Sequence, residues 1–168
     1  MTYRVEALND AHVLDRLACG NAALDDWLKL HARTATGQGT RTYVLVDSAT
    51  GAVVGYFAIA PHLLERGATP AQIGRGAPRQ IPAILLAKLA LDQRAQGTGI
   101  GSELLVRALE KIVDAARQAG GKLVVVDAID HAAAKFYQHY GFETLPRNPH
   151  RLVMKMSTVA KELGVPWP

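Results

Sequence analysis

Apolar positions recur at two different periods along this chain, and the changes of period mark its elements. Asn9 and Asp10 precede a helical pattern that breaks at Cys19-Gly20-Asn21. A second helix is expected from Asn21, a candidate N-cap. Asp25 and Asp26 lie in its first turn, and Leu24, Trp27, Leu28 and His31 fall at helical spacing. Residues 36–40 have loop composition. Residues 42–47 and 53–59 read as strands joined by a turn over 48–51, a hairpin. Residues 61–80, rich in Gly, Pro and Arg, predict an irregular or partly helical excursion. Residues 81–92 form a long apolar run that suits a buried strand, although the pattern alone also permits a helix.

A glycine-rich turn follows, Gln96-Gly97-Thr98-Gly99-Ile100-Gly101. It opens an amphipathic helix with Leu104, Leu105, Ala108, Leu109, Ile112, Val113 and Ala116 on one side, stopped by Gly120-Gly121. Residues 122–128 read as a buried strand, 131–140 as a helix ending at Gly141, and 151–156 as a last strand. The order β-β-β-α-β-α-β predicts an α/β fold, a sheet with helices on its faces.

Composition narrows the class. The chain has 168 residues, 49% of them hydrophobic, which suits one globular domain with a sizeable core. No run of about 18 apolar residues occurs, so no membrane span is expected. The charged N-terminus lacks the apolar stretch of a signal peptide. The single cysteine, Cys19, fits a reducing cytoplasm. One cysteine and six histidines without ligand spacing give no metal site. The net charge is +4, and residues 28–88 exceed it alone, with seven cations (Lys29, Arg33, Arg41, Arg66, Arg75, Arg79, Lys88) against Asp47 and Glu65. Such an excess suits either a solvated face or a surface for a polyanion such as RNA.

The strand–turn–helix around Gly97 is a geometry for binding phosphate. Amides at a helix start point at the anion, and glycines let the backbone approach it. Arg94 adds a planar cationic fork. A P-loop would need Gly-Lys-Ser/Thr after the turn, and here Ile100-Gly101-Ser102 follows. The dinucleotide fingerprint fails as well, because Gly97, Gly99 and Gly101 alternate. A flexible helix entrance with no ligand is the plainer alternative.

Arg94-Ala95-Gln96-Gly97-Thr98-Gly99 resembles the Arg/Gln-x-x-Gly-x-Gly/Ala signature of the GNAT acetyltransferases, and Phe136-Tyr137-Gln138-His139-Tyr140-Gly141-Phe142 resembles their Phe-Tyr-x-x-x-Gly-Phe element. The resemblance implies a single GNAT acyltransferase domain over residues 1–168, with a mixed, mainly antiparallel central sheet flanked by helices. It implies acetyl-CoA as co-substrate. Leu89, Ala90 and Leu91 would present strand backbone to its pantetheine and acetyl group. Arg94, Gln96, Gly97, Thr98, Gly99, Ile100, Gly101 and Ser102 would hold its pyrophosphate, and Phe136 would border it. Tyr137 would protonate the leaving thiolate. A phenol with pKa near 10 keeps its proton at neutral pH, so the chemistry is reasonable. In isolation, Tyr137 reads better as one member of an aromatic cluster with Phe136, Tyr140 and Phe142, and it is the pairing with the glycine turn that favours the acid. Residues 81–91 contain no carboxylate to serve as base. That favours an α-amine acceptor, with pKa about 8, over a lysine at about 10.4.

The resemblance reaches a subgroup, the GNAT-type toxins of bacterial toxin–antitoxin pairs. Cys19-Gly20-Asn21-Ala22-Ala23-Leu24-Asp25-Asp26-Trp27-Leu28 looks like their opening, and Thr42 to Val46, Val54 to Phe57, Leu86 to Asp92 and Val126-Asp127-Ala128 match it too. Lys88 and Leu91 depart mildly from the pattern. The implied activity is acetylation of the α-amine of aminoacyl-tRNA in the cytoplasm, blocking translation. The implied partners are that RNA, a ribbon-helix-helix antitoxin and a second copy in a homodimer, with no membrane. Arg41, Arg75, Arg79 and Lys88 are the candidate RNA contacts. The alternatives are a GNAT enzyme for a small amine or a protein N-terminus, and a catalytically silent binding module.

Overall fold

The computed structural model describes residues 2–168. Seven strands form one sheet in the order β1-β2-β3-β4-β5-β7-β6, with β1 Tyr3–Ala7, β2 Arg41–Asp47, β3 Val53–Glu65, β4 Gln80–Leu91, β5 Leu123–Asp127, β6 Glu143–Leu145 and β7 Asn148–Lys155. The β1–β2, β2–β3, β5–β7 and β6–β7 pairs are antiparallel and β4–β5 is parallel, so the sheet is mixed and mainly antiparallel, as expected. The helices are α1 Ala22–Asp26, α2 Ala32–Thr36, α3 Ala71–Gly74, α4 Ile100–Ala119, α5 His131–His139 and α6 Met156–Leu163. A π turn, Trp27–His31, joins α1 to α2. Among the described residues no helix is long and apolar enough to cross a membrane.

The chain divides into two compact units, one running up to Ala60 and including Ala87–Ala108, the other Pro61–Leu86 with Leu109–Pro168. The first unit buries Leu17, Leu28, Val44, Val46 and Tyr56 together. The Tyr56 hydroxyl is satisfied by donating to the Leu24 carbonyl at 2.6 Å. Asn21 caps α1 as its sequence position suggests, its side chain accepting the Leu24 amide at 3.0 Å. Trp27 stacks on Tyr56 at 6.0 Å, which makes it packing rather than a free platform. The second unit gathers Ile73, Ile81, Leu123, Val125 and Val153. The β4–β5 ladder runs from Ala83–Leu123 to Leu86–Val126. Asp130 caps α5 by accepting the Ala133 amide at 2.8 Å.

Several elements differ from the sequence reading. The helix expected after Asn9-Asp10 is absent, and residues 8–20 are irregular. Other bonds take the backbone groups a helix would use: Arg33, from far along the chain, donates to the Asn9 and His12 carbonyls, and the Asn9 side chain locally accepts the Ala11 amide. Leu14 and Leu17 still join the core of the first unit, without a helix to carry them. β1 was hidden by its charges, Arg4 and Glu6. β6 is three residues long, too short to show alternation. The last strand gives way at Met156 to α6, which has no side-chain cap to announce it and ends at Gly164 in the left-handed region, φ +69°. The strand expected over 53–59 runs on to Glu65.

β3 crosses close to the end of β4 because Gly55 has no side chain. A Cβ there would stand 3.0 Å from the Ala90 carbonyl oxygen and 3.2 Å from Leu91 Cδ1. Backbone cannot yield as a side chain can. Gly55→Ala is therefore expected to cost about 1–3 kcal/mol in a denaturant melt. A variant as stable as the wild type would show that this approach is not tight.

Candidate functional site

In the first unit the site is built around the end of β4. Asp92 follows the strand and is 2% exposed. Its carboxylate accepts the Ala18 amide at 3.1 Å, the Arg94 amide at 3.0 Å, and Arg94 Nε and Nη2 at 2.9 and 3.3 Å. Gln93 N donates in turn to the Ala18 carbonyl, and Gln96 Nε2 donates to both the Cys19 and Leu91 carbonyls at 2.8 Å. Cys19 N is held by Asp25 at 3.0 Å. The loop before α1 and the turn after β4 are thereby tied to each other. Burial alone would raise the Asp92 carboxyl, but the Arg94 side chain and the Arg94 and Ala18 amides outweigh it and hold it below the usual carboxylate range.

This lattice sets the conformation of the glycine turn. Gly97 and Gly99 have φ of +77° and +84°, which L side chains rarely adopt, and a Cβ on Gly97, Gly99 or Gly101 would meet nothing within 4 Å. The turn is thus open on its outer side, and α4 begins at Ile100 with amides that have no intrahelical partner. An anion fits there, favoured by the positive end of a twenty-residue helix. The residues present therefore suit the pyrophosphate of acetyl-CoA, with backbone doing most of the holding. Gln96 and Thr98 contribute through the turn's shape, since the Gln96 amide is committed to two carbonyls and Thr98 Oγ1 donates to the Ala95 carbonyl at 2.6 Å. Arg94 is exposed but folded back on Asp92. Beside the turn lies a pocket of about 530 Å³ that Arg94, Thr98 and Ile100 share with Asp47, Asp92 and Glu103. Three carboxylates against one cation make it a poor phosphate site, whereas the amide side of the turn would suit an anion. Leu89, Ala90 and Leu91 close β4 beyond its last pair with β5.

In the second unit Tyr137 lies on α5, 5% exposed. Phe136 and Phe142 pack edge-on against its ring at 5.4 and 5.9 Å. The aromatic cluster and the titratable hydroxyl therefore coexist. Burial, and then the nearby Asp127 carboxylate, push the phenol far above its ordinary value. It keeps its proton at any physiological pH.

Asp127, at the end of β5, is clasped by Arg151 of β7 through Nε at 2.8 Å and Nη2 at 3.1 Å. Arg151 Nη1 reaches His62 Nε2 at 3.0 Å. Arginine can only donate, so His62 Nε2 accepts and its proton sits on Nδ1. Burial, then Arg151, lower the His62 pKa, in keeping with that neutral ring. Sequence reasoning missed this row. Asp127 stood inside a matched segment with no role, and nothing in the spacing of His62 and Arg151, 89 positions apart, ties them together.

The candidate RNA cations are scattered in role. Arg41 donates to the Thr36 and Thr40 carbonyls, and Lys88 stands over the Trp27 ring at 5.6 Å, a structural cation. Arg75 and Arg79 are exposed in the second unit. Cys19 is half-buried and its thiol is pushed up by burial and by Asp25, the opposite of an activated nucleophile. No metal-holding group of His, Cys, Asp and Glu occurs among the described residues.

Known proteins resemble this chain in sequence and in fold. Residues 38–144 match the acetyltransferase (GNAT) domain family. The chain is 34% identical over 158 residues to a tRNA-acetylating toxin of Mycobacterium tuberculosis (strain ATCC 25618 / H37Rv), covering 94% of each protein. In structure it resembles AtaT complexed with acetyl-methionyl-tRNAfMet, with a TM-score of 0.86 at 27% identity over 96% of this chain and 99% of that one. It also resembles a variant of AtaT bound to the C-terminus of the antitoxin AtaR and acetyl-CoA, with a TM-score of 0.80 at 27% identity over 95% and 97%.

Asp92→Asn keeps the shape of the node, removes its charge and turns one of its two acceptor oxygens into an NH2 donor facing other donors. It is expected to lose about 1–3 kcal/mol of stability at neutral pH, because buried donors are left unpaired. The lowered pKa of Asp92 makes its contribution present above the unfolded carboxyl value of about 3.9 and lost as pH falls below it. The gap between wild type and variant should therefore narrow in acid, as read by denaturant melts at neutral and acid pH. An equally stable variant at neutral pH would remove Asp92 from its place as the node.

Proposed function

The chain belongs to the acetyltransferase (GNAT) domain family, and from that premise we propose that it transfers acetyl from acetyl-CoA to the α-amine of aminoacyl-tRNA and so blocks translation. The observation that carries the proposal is the match, over 94% of both chains, to a protein named as a tRNA-acetylating toxin. The likeness to AtaT carrying acetyl-methionyl-tRNAfMet supports the same acceptor.

The amides of Gly97 to Ser102 receive the pyrophosphate, and the Asp92 node holds them in place. The backbone of Leu89, Ala90 and Leu91 lines the acyl-bearing arm. The acceptor nitrogen attacks the thioester carbon, the C–N bond forms, the C–S bond breaks, the departing sulfur takes the Tyr137 proton, and water returns a proton to the tyrosinate to restore the acid. An α-amine with pKa near 8 is partly neutral at physiological pH and loses its own proton to water, so no strong base is required. Burial, and after it the Asp127 carboxylate clasped by Arg151, hold the phenol in its acid form.

An antitoxin neutralises the protein in this reading, in keeping with the AtaR complex of a structural relative. We assign that partner to the ribbon-helix-helix class and the toxin to a cytoplasmic homodimer.

Expression of the wild-type chain should arrest bacterial growth, and Tyr137→Phe should restore it while still folding and still binding acetyl-CoA. Continued arrest by that variant would remove Tyr137 from the acid's role. With purified enzyme, kcat/KM should rise with pH to an inflection near the α-amine pKa of about 8 and then stay level. The raised Tyr137 pKa gives the sign: the acid form persists into alkali, so no alkaline decline is expected below about pH 10. A decline there would mean that a group of ordinary pKa supplies the proton.

A further inference from the structure

We infer that a second, cationic pocket in the second unit, remote from Tyr137 along β5, binds the phosphate backbone of the RNA substrate and stacks one of its bases on Trp167. The pocket measures about 350 Å³ and is walled by Arg75, Lys122, Lys155, Ser157 and Trp167, with Gly121 among its lining. No carboxylate lines it. None of the three cations forms an ion pair among the described residues. Three unneutralised positive charges around one cavity repel each other, and an anion relieves that repulsion.

The walls are held by backbone. Lys122 N donates to the Pro82 carbonyl at 2.7 Å, and Met156 N donates to the Lys122 carbonyl at 2.9 Å, which fixes Lys122 beside the end of β7. Lys155 is paired with Leu123 in the β5–β7 register. Gly121, at φ +140°, occupies a conformation that side chains rarely adopt and lines the pocket with backbone. Arg75 follows directly on α3, its amide bonded to the Ala71 carbonyl at 3.0 Å. The C-terminal segment is anchored by Arg117, whose Nη1 donates to the Pro166 carbonyl at 3.2 Å and keeps Trp167 in place.

The composition selects the ligand class. Lysines serve as point charges for phosphate, arginine as a fork, a serine hydroxyl as a further donor, and a half-exposed indole as a face for a base. An acidic peptide would use the cations and leave the indole without a task. The pocket opens at the start of β5, whereas Asp127, the carboxylate nearest in its effect on Tyr137, ends the same strand. Four residue steps separate Leu123 from Asp127, about 13 Å at strand rise. The pocket therefore grips nucleotides inward of the aminoacylated end and not the aminoacyl group itself. Of the four cations that the sequence suggested for RNA, only Arg75 lines it. This inference rests on the RNA acceptor proposed above.

The test titrates the full-length protein with fluorescein-labelled deacylated tRNA across a salt series. The Lys122→Gln/Lys155→Gln double variant should bind more weakly, and the slope of log K against log salt should fall by about 0.7–0.9 for each phosphate left without its cation. Trp167→Ala should weaken binding about tenfold with the slope unchanged, because stacking carries no counterion release. Both variants should leave acetyl-CoA affinity and kcat on saturating aminoacyl-tRNA unaltered while raising KM. Wild-type affinity and slope in both folded variants would overturn the inference. So would displacement of the variants' effect onto an acidic peptide, with poly-glutamate binding abolished and tRNA binding kept. Deacylated tRNA binding does not depend on transfer. Pocket-dependent binding without acetylation would sink the proposed reaction alone, and acetylation with unchanged KM in the variants would sink the pocket alone.

Discussion

A buried carboxylate at the end of a strand governs how the rest of this site is arranged. Asp92 takes hydrogen bonds from the amides of Ala18 and Arg94 and from the Arg94 guanidinium, and the Gln93 and Gln96 contacts extend the same lattice to Ala18, Cys19 and Leu91. A charge so nearly removed from water is tolerable only because its lone pairs are filled. The consequence is local rigidity. The turn after β4 is held before any ligand arrives, and its glycines, free of side chains and open outward, leave amides for an anion. Arg94, which its sequence position offers as a phosphate ligand, completes the carboxylate's shell.

The second unit solves a different electrostatic problem. A proton donor for a thiolate must hold its proton until the moment of departure. Tyr137 does so through burial and through the field of Asp127. Arg151 in turn prevents Asp127 from standing as an unpaired carboxylate, and its remaining nitrogen fixes the tautomer of His62. One arginine thus sets the protonation of a histidine and anchors the carboxylate that acts on a tyrosine.

Much of this was legible in the sequence, and what was hidden has physical reasons. The glycine turn, α4 and the Phe136–Phe142 element each occupy contiguous residues, and local periodicity and turn chemistry report contiguous residues well. The capping role of Asn21 is readable for the same reason. The Asp127–Arg151–His62 row was invisible because it exists only once three strands are in register. The irregular path of residues 8–20 was misread because its apolar spacing is helical, while its backbone partners, Arg33 and Asp92, are far along the chain. Lys88 was nominated for RNA on charge alone, and only the fold shows it over Trp27.

The function proposed for this chain stands or falls on which atom receives the acetyl group. Labelled acetyl-CoA, purified protein and a pool of aminoacylated tRNA would be incubated together, the RNA digested, and the terminal nucleoside examined by mass spectrometry. The expected product is N-acetyl-aminoacyl-adenosine, formed by the wild type and reduced to background with Tyr137→Phe. Unmodified aminoacyl-adenosine, from a preparation that consumes acetyl-CoA with a small amine or a peptide N-terminus, would contradict it.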